Sequence, residues 1–532
     1  MRTWTMFRRS RRDVVAVQHE AELNGTTEAA AAVASDGRRP SHRLLWAVGL
    51  GLLATTTSAI GSWIPSLWGD EAASVLSAER SLPSLFRMLG NVDAVHGTYY
   101  LFLHFWIDLF GASPFSVRLP SAFAVGLMVA GVVVLGSRLA GPRAGVIAGI
   151  VAVVLPRVTY MGAEARGYAM SAACVVWLTM LLVHIVGLDR PKRRLWLLYA
   201  FGLAVCGYVF LFSLLIVAPH AILVLSSRRR GAPAAWGKAV LGGVLLAGPV
   251  IAYGFFERGQ IAYLANRNAA NANSLLVGQW FGNDLMAALA WALIIISLIV
   301  WAAGWIRTRR LPWAADAVAA EARPPQLVPV AATWLLAPPA ILLAINAIHP
   351  VYSSRYLSFA APAAALILGW LLARIRQRVV AMVLLVAVVA ASSISYLSER
   401  TPYAENGSDW ATIAQTIQTH AKPGQGILFD EAARPSQNPR LAMRTYPASF
   451  TGLKDIALKA PWYDTTSWRD SVYPLASVLS RLDTVKTVWL VEYRQPGKTP
   501  DTYDRSTLAQ HGFLVTAEYP EYSSVVFKLT RH

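Results

Sequence analysis

The sequence is short of cysteine, of acid and of charge altogether. Its 532 residues hold two cysteines, Cys174 and Cys206, both inside apolar runs, which argues against a disulfide framework or a cysteine metal cluster. Charged residues make up 15% of the chain, where a soluble protein carries about a quarter. The charge is also unbalanced, with 48 Lys and Arg against 30 Asp and Glu, a net of +18. No His/Asp spacing argues for a metal site, and no repeat relates the two halves. The layout of a cleaved signal peptide is missing too. The first apolar run begins only near Leu44 and is long enough to remain as an anchor.

Apolarity takes the place of charge. Hydrophobic residues make up 55% of the chain, mean hydropathy is +0.43, and apolar runs recur at lengths that cross ~30 Å of hydrocarbon. The chain reads as a polytopic α-helical membrane protein. The arginines fit: "DRPKRR", "SSRRR", "IRTRR" and "ARIRQR" lie in short loops between apolar runs. Such loops stay on the cytoplasmic side and touch anionic membrane lipid, so nucleic acid is not an expected partner. Residues 1–43, with "FRRSRR" at Phe7–Arg12, read as a disordered basic cytoplasmic tail.

The first span covers about 44–63, which leaves Asp70 and Glu71 of "IPSLWGDEAASVLSAERS" on the outer side. The segment "GTYYLFLHFWIDLFG", Gly97–Gly111, is apolar but too short for a comfortable span. If it crossed, Arg138, Arg143 and the later basic loops would fall outside. If it re-enters or lies in the interface, every basic loop falls inside. On the second choice roughly eleven spans occupy residues 44–398, with an outer loop at 64–118 and the C-terminus outside. Residues 399–532 are polar and contain "SDWATIAQTIQTH", a helix capped by Ser408, and the strands "GILFDE", "TVWLVEY" and "SSVVFKLT". They read as a small extracytoplasmic α/β domain. Its Trp410, Trp462 and Trp468 are either core or a stacking surface for sugar.

Ionisable residues crowd the outer span ends, namely Asp70, Glu71, Asp93, His96, Arg118, Glu164, Arg166, His349 and Arg355, with Tyr168 among them. "TYMGAEARGYAM" and "NAIHPVYSSRYLSF" put charge where a span should begin apolar. That placement is unfavourable unless the groups face an internal cavity. Arginine suits phosphate through its fork of donors, and a carboxylate suits deprotonation of a hydroxyl. Together they describe attack by a hydroxyl on a lipid-linked phosphosugar.

The ordered set "WGDEAAS", "HGTYYLFLHFW", "SVRLPSAFAVGL", "GAEARGYAM" and "SSRYLSFAAPA" resembles the GT-C membrane glycosyltransferases. The nearest branch is that of the bacterial protein O-mannosyltransferases and aminoarabinose transferases, with their actinobacterial relatives. The resemblance covers residues 44–400 and departs from the family at Gly97–Thr98 and at Phe210. It implies an inverting transferase of the bacterial plasma membrane that uses a sugar on polyprenyl phosphate, mannose first and arabinose second. The acceptor would be a hydroxyl on a glycolipid, polysaccharide or protein. It makes Asp70 the general base, with Glu71 orienting the loop or serving in its place. Arg166 and Arg355, then Arg118, are the phosphate contacts. Glu164 orients Arg166 or touches the sugar, Tyr168 and His349 belong to the same donor side, and Asp93 and His96 contact the acceptor. No organic cofactor is implied, and a divalent ion at the acids stays open. The rival readings are a transporter and a flippase of a lipid-linked sugar; a flippase relocates its lipid and makes no glycosidic bond.

Overall fold

The computed structural model describes residues 42–267, 269–309, 326–494 and 498–531. The expected tail, 1–43, lies outside them except for His42 and Arg43, which are helical. The chain divides into two compact units, Met1–Trp46 and Ala47–His532. The second contains nearly all of the helices, the sheet and the cavity.

Among the described residues, six helices are long and apolar enough to cross a membrane: Pro114–Ala140, Tyr168–Gly187, Asp284–Arg307, Leu327–Asn346, Ser354–Arg374 and Arg378–Ser398. Two bent pairs, one broken by 60° and one by 55°, bring the number to eight. The sequence reading counts roughly eleven, and the difference lies in shorter helices. The expected first span is helix α1 (His42–Ala59), 18 residues that include His42, Arg43 and three threonines. Arg193–Val209 has 17 residues. Residues 209–226 are a 3-10 turn, Leu211–Ile216, running into Val217–Ser226. At 1.5 Å per residue, 17 residues reach only about 26 Å.

Between α1 and the first long helix come three short ones: α2 (Gly69–Ala78), α3 (Leu82–Leu89) and α4 (Gly97–Phe110). Helix α4 is continuous but about 21 Å long, below the thickness of the hydrocarbon. Helix α5 (Pro114–Ala140) starts where Ser113 Oγ accepts from Ser116 N and Pro114 takes the first turn, a position where its missing N–H is harmless. Helix α1 lies close on α5. A Cβ on Gly126 would come within 2.0 Å of Thr55 Oγ1 and 2.7 Å of the Gly51 carbonyl, so only glycine permits this approach. Helices α6 (Pro142–Val154) and α7 (Pro156–Gly162) form the 60° pair. Pro156 lacks a donor and forces Leu155 to an extended ψ of 124°, which ends one helix and starts the next. Helix α8 (Tyr168–Gly187) follows.

The C-terminal residues build a five-stranded sheet in the order β2-β1-β5-β7-β6. Strand β1 (Gly426–Phe429) is parallel to β2 (Lys454–Asp455) and to β5 (Thr487–Tyr493). Strand β7 (Ser524–Arg531) runs antiparallel to β5 and to β6 (Phe513–Pro520). A separate pair joins β3 (Leu458–Ala460) to β4 (Ser471–Val472). The three expected strands are β1, β5 and β7, and the expected helix is Trp410–His420. Its cap position is Asp409 rather than Ser408; the Ser408 hydroxyl donates to the Leu67 carbonyl at 2.7 Å instead.

Helix α2 connects the two parts through two neighbouring faces. Ala72 and Leu76, one turn apart, join the core of the sheet domain with Trp410, Ile413, Phe429 and Trp489. Val75 and Ala78 join a second core with Leu85, Tyr99, Tyr100 and Val117. Residues i and i+4, or i and i+3, share a helix face, so "AASVLSA" is buried on both sides and fixes the orientation of everything α2 carries.

Candidate active site

Helix α2 opens with Gly69, Asp70 and Glu71. A Cβ on Gly69 would fall 2.5 Å from the Ser436 carbonyl oxygen, so glycine lets loop 434–437 of the sheet domain close over this helix end. Adjacent helical residues point about 100° apart, and the two acids therefore have different surroundings. Glu71 turns inward and is fully buried. Its carboxylate takes Arg118 in a fork, Nε at 2.7 Å and Nη2 on the other oxygen, and also accepts from Ala165 N at 2.8 Å. The rest of Arg118 donates to the carbonyls of Ser62, Pro65 and Ser66. This satisfied pair anchors the start of α2 to α5 and to loop 163–167.

Asp70 turns the other way, into a cavity of about 660 Å³. Its Oδ2 lies 2.8 Å from Arg355 Nη1, and that nitrogen is 3.4 Å from Glu164 Oε1. The Arg355 guanidinium lies over the Trp68 ring at 4.7 Å. Arg166 enters from loop 163–167. Its Nη1 reaches the Asp70 carbonyl, Ser74 Oγ and Tyr100 OH, each at 3.3 Å, and its Nη2 lies 3.0 Å from His96 Nε2. Arginine is only a donor, so His96 accepts there and is neutral at that nitrogen. Tyr100 OH donates to Asp93 Oδ2 at 3.2 Å.

The electrostatics give each group a different state. Burial disfavours charge on Asp70, but Arg355 and Arg166 outweigh it and hold the carboxyl below its ordinary range. Burial pushes Glu164 up to about 7, against the pull of Arg355 and with help from the Asp70 and Glu71 charges. Burial also raises Asp93, which Arg166 and Tyr100 offset only in part. Burial and then Arg166 drive His96 well below its usual value. At neutral pH the cavity therefore presents an ionised Asp70 beside two cations and a neutral imidazole.

Of the ten residues singled out in the sequence, six line the cavity: Asp70, Asp93, His96, Arg166, Tyr168 and Arg355. Glu71 and Arg118 do not: each spends its oxygens or N–H groups on buried partners, an arrangement that suits the loop-orienting role expected of Glu71. Glu164 touches Arg355 from behind the wall; its 3.4 Å contact is to Arg355 rather than to Arg166, and its second oxygen has no partner. His349 is also off the wall, with Nδ1 buried and unpartnered. Trp468, read in the sequence as core or a stacking surface, lines the cavity, and with it come Ser467, Arg469 and Arg434–Ser436, which the sequence did not single out. Sequence reading also missed an aromatic side formed by Phe210, Phe212 and Tyr356, the last two stacked at 5.1 Å. Among the described residues, no group of three or more His, Cys, Asp or Glu is arranged to hold a metal ion.

The crystal structure of ArnT from Cupriavidus metallidurans bound to undecaprenyl phosphate superposes on 91% of this chain and 98% of its own, with a TM-score of 0.57 at 15% identity. The chain has the fold of ArnT. The apo form of the same ArnT gives 0.55 at 14% identity, over 91% of this chain and 97% of that one. Residues 98–253, less than a third of the length, match the family model described as dolichyl-phosphate-mannose-protein mannosyltransferase. No match was found among curated proteins. The matched stretch includes Arg118, Glu164, Arg166 and Tyr168; Asp70 and Arg355 lie outside it.

Proposed function

We propose that the chain is an inverting glycosyltransferase of a bacterial plasma membrane, moving a sugar from polyprenyl phosphate to a hydroxyl on the outer face. The observation that carries this reading is Asp70 in the cavity: a carboxylate held ionised, 2.8 Å from one guanidinium and next to a second. In the reaction, Asp70 takes the proton of the acceptor hydroxyl while its oxygen attacks the anomeric carbon from the side opposite the phosphate. The new C–O bond forms as the bond to the phosphate oxygen breaks. The electron pair leaves with polyprenyl phosphate, whose charge Arg355 and Arg166 stabilise. Charge stabilisation of this kind in a dry site is usually the largest catalytic contribution.

Several features support the donor class. Phe210, Phe212 and Tyr356 offer an apolar wall beside the cations, which suits an isoprenoid or a sugar CH face. A protein of the same fold binds undecaprenyl phosphate. Mannose is the preferred sugar, from the description of the matching family. Glycolipid, polysaccharide and protein hydroxyls all remain acceptor classes, and residues 399–532 form the extracytoplasmic domain.

The test is to incubate the purified chain with radiolabelled polyprenyl-phosphate mannose and a membrane extract. Label is expected in a new, acid-stable glycosidic product. Label that crosses a vesicle bilayer while still on its lipid, with no new bond, would identify a flippase instead.

A further inference from the structure

Arg80, two residues beyond the C-terminal end of α2, is 1% exposed. Its Nη1 donates to Ser84 Oγ and to the Thr465 carbonyl, both at 3.0 Å. Its Nη2 donates to the carbonyls of Trp462 and Ser467. Its partners are carbonyls and a hydroxyl, not carboxylates. Burying a guanidinium is unfavourable unless its donors are well used, and here three of them converge on one loop. That loop closes on itself as well: Thr465 Oγ1 accepts from Ser467 N at 3.2 Å, and Asp470 Oδ1 accepts from Trp462 N at 2.9 Å. Trp462 Nε1 adds a second tie to α2, donating to the Leu76 carbonyl at 3.1 Å.

Ser467, Trp468 and Arg469, held in this way, line the cavity. Helix α2 thus carries Asp70 at one end and, through Arg80 just past the other, holds part of the cavity wall. This part of the wall belongs to the polar C-terminal residues, whereas Phe210, Phe212 and Tyr356 come from the helical part. It brings a half-buried indole to the cavity lining, with the Arg469 guanidinium 5.4 Å from its ring. A flat aromatic face with an adjacent donor suits a saccharide.

We propose that Arg80 is a positioning residue: it sets Trp468 and Arg469 at a fixed distance from Asp70, so that this wall receives a saccharide acceptor and presents its hydroxyl to the base. The inference rests on the glycosyl-transfer reading. It differs from that reading in assigning the acceptor side to the sheet domain.

The experiment uses the full chain in detergent with radiolabelled polyprenyl-phosphate mannose and a membrane extract. Two products are counted: label in glycosidic product and free mannose released by water. In Arg80→Gln the ratio of transfer to hydrolysis is expected to fall by about tenfold or more, since a displacement near 1 Å has effects of this size. Trp468→Ala should lower the same ratio. The double variant should be no worse than the poorer single one, because both act through one wall. Arg80→Lys, which keeps the charge but not the fork, should fall between. If both rates drop together and the ratio holds, or if the two losses multiply, Arg80 is merely structural and the proposal is overturned. Should Arg80→Gln fail to fold, Ser84→Ala removes two bonds of the same cluster, the one accepted from Arg80 and the one donated to the Tyr463 carbonyl. A ratio lowered about two- to threefold in it supports the proposal, and an unchanged ratio overturns it. A wild-type chain that neither transfers nor hydrolyses removes the glycosyl-transfer reading itself, a separate outcome from a wild type that transfers with variants that leave the ratio intact.

Discussion

Arg355 Nη1 lies 2.8 Å from Asp70 Oδ2 and 3.4 Å from Glu164 Oε1, so one guanidinium is shared by an acid at the cavity surface and an acid buried behind it. The two acids are not equivalent. Asp70 is held ionised by Arg355 and Arg166, while burial brings Glu164 to about 7. On the proposed reading, a donor phosphate entering the cavity would compete with Asp70 for Arg355, so that binding of the donor would loosen the ion pair and free the base in the same step.

The first prediction concerns pH. Replacing Arg355 by Gln removes the larger of the two charge effects that hold Asp70 down, so its carboxyl rises. Activity needs Asp70 ionised, and the acid limb of the pH–rate profile should therefore move to higher pH. One pKa unit corresponds to about 1.4 kcal/mol. Affinity for the lipid-phosphate donor should also fall. A profile whose acid limb stays in place would show that Arg355 does not act on Asp70.

The second concerns the buried pair. Arg118→Met leaves the Glu71 carboxylate fully buried with only Ala165 N to satisfy it. Breaking one partner of such a pair costs about 3–5 kcal/mol, which thermal unfolding in detergent should register as a clear drop in Tm. Glu71→Gln with Arg118→Met together should lose less than Arg118→Met alone. If Arg118→Met abolishes donor binding with Tm unchanged, Arg118 belongs to the site after all.

Gly69→Ala gives the third. The new methyl meets the backbone carbonyl of Ser436 at 2.5 Å, and backbone on both sides has little room to yield. Loop 434–437 must shift from the cavity wall. Transfer is expected to fall by about tenfold or more while the helical part stays folded. Limited proteolysis should find loop 434–437 cleaved faster than in the wild type, and equal cleavage rates would contradict the packing described.

Part of this site was legible in the sequence. Arg166 and Arg355 each stand where an apolar span should begin, a placement that is unfavourable unless they face a cavity, Asp70 stands just beyond the outer end of the first span, and the structure brings all three together. The strands β1, β5 and β7 were legible because each is an apolar run bounded by turn residues. The division of labour between Asp70 and Glu71 was not. It depends on about 100° of rotation along a helix whose first residue cannot be read from "WGDEAAS". The place of Arg118 was not legible for the same reason: a buried arginine and a cavity arginine look alike until their partners are known. Arg434 and Trp468 come from more than 360 positions beyond Asp70, and no periodicity links loop residues across that distance. The way α2 joins two cores was also out of reach, because a run buried on nearly all sides carries little amphipathic signal.

The central claim is that Asp70 is the base, and turnover of Asp70→Asn tests it most directly. The variant keeps the size of the side chain and should fold and bind polyprenyl-phosphate sugar, yet it cannot take a proton. Transfer of labelled mannose is predicted to fall by ~10²-fold or more with Tm close to the wild type. A folded Asp70→Asn protein that transfers sugar at the wild-type rate would contradict the account.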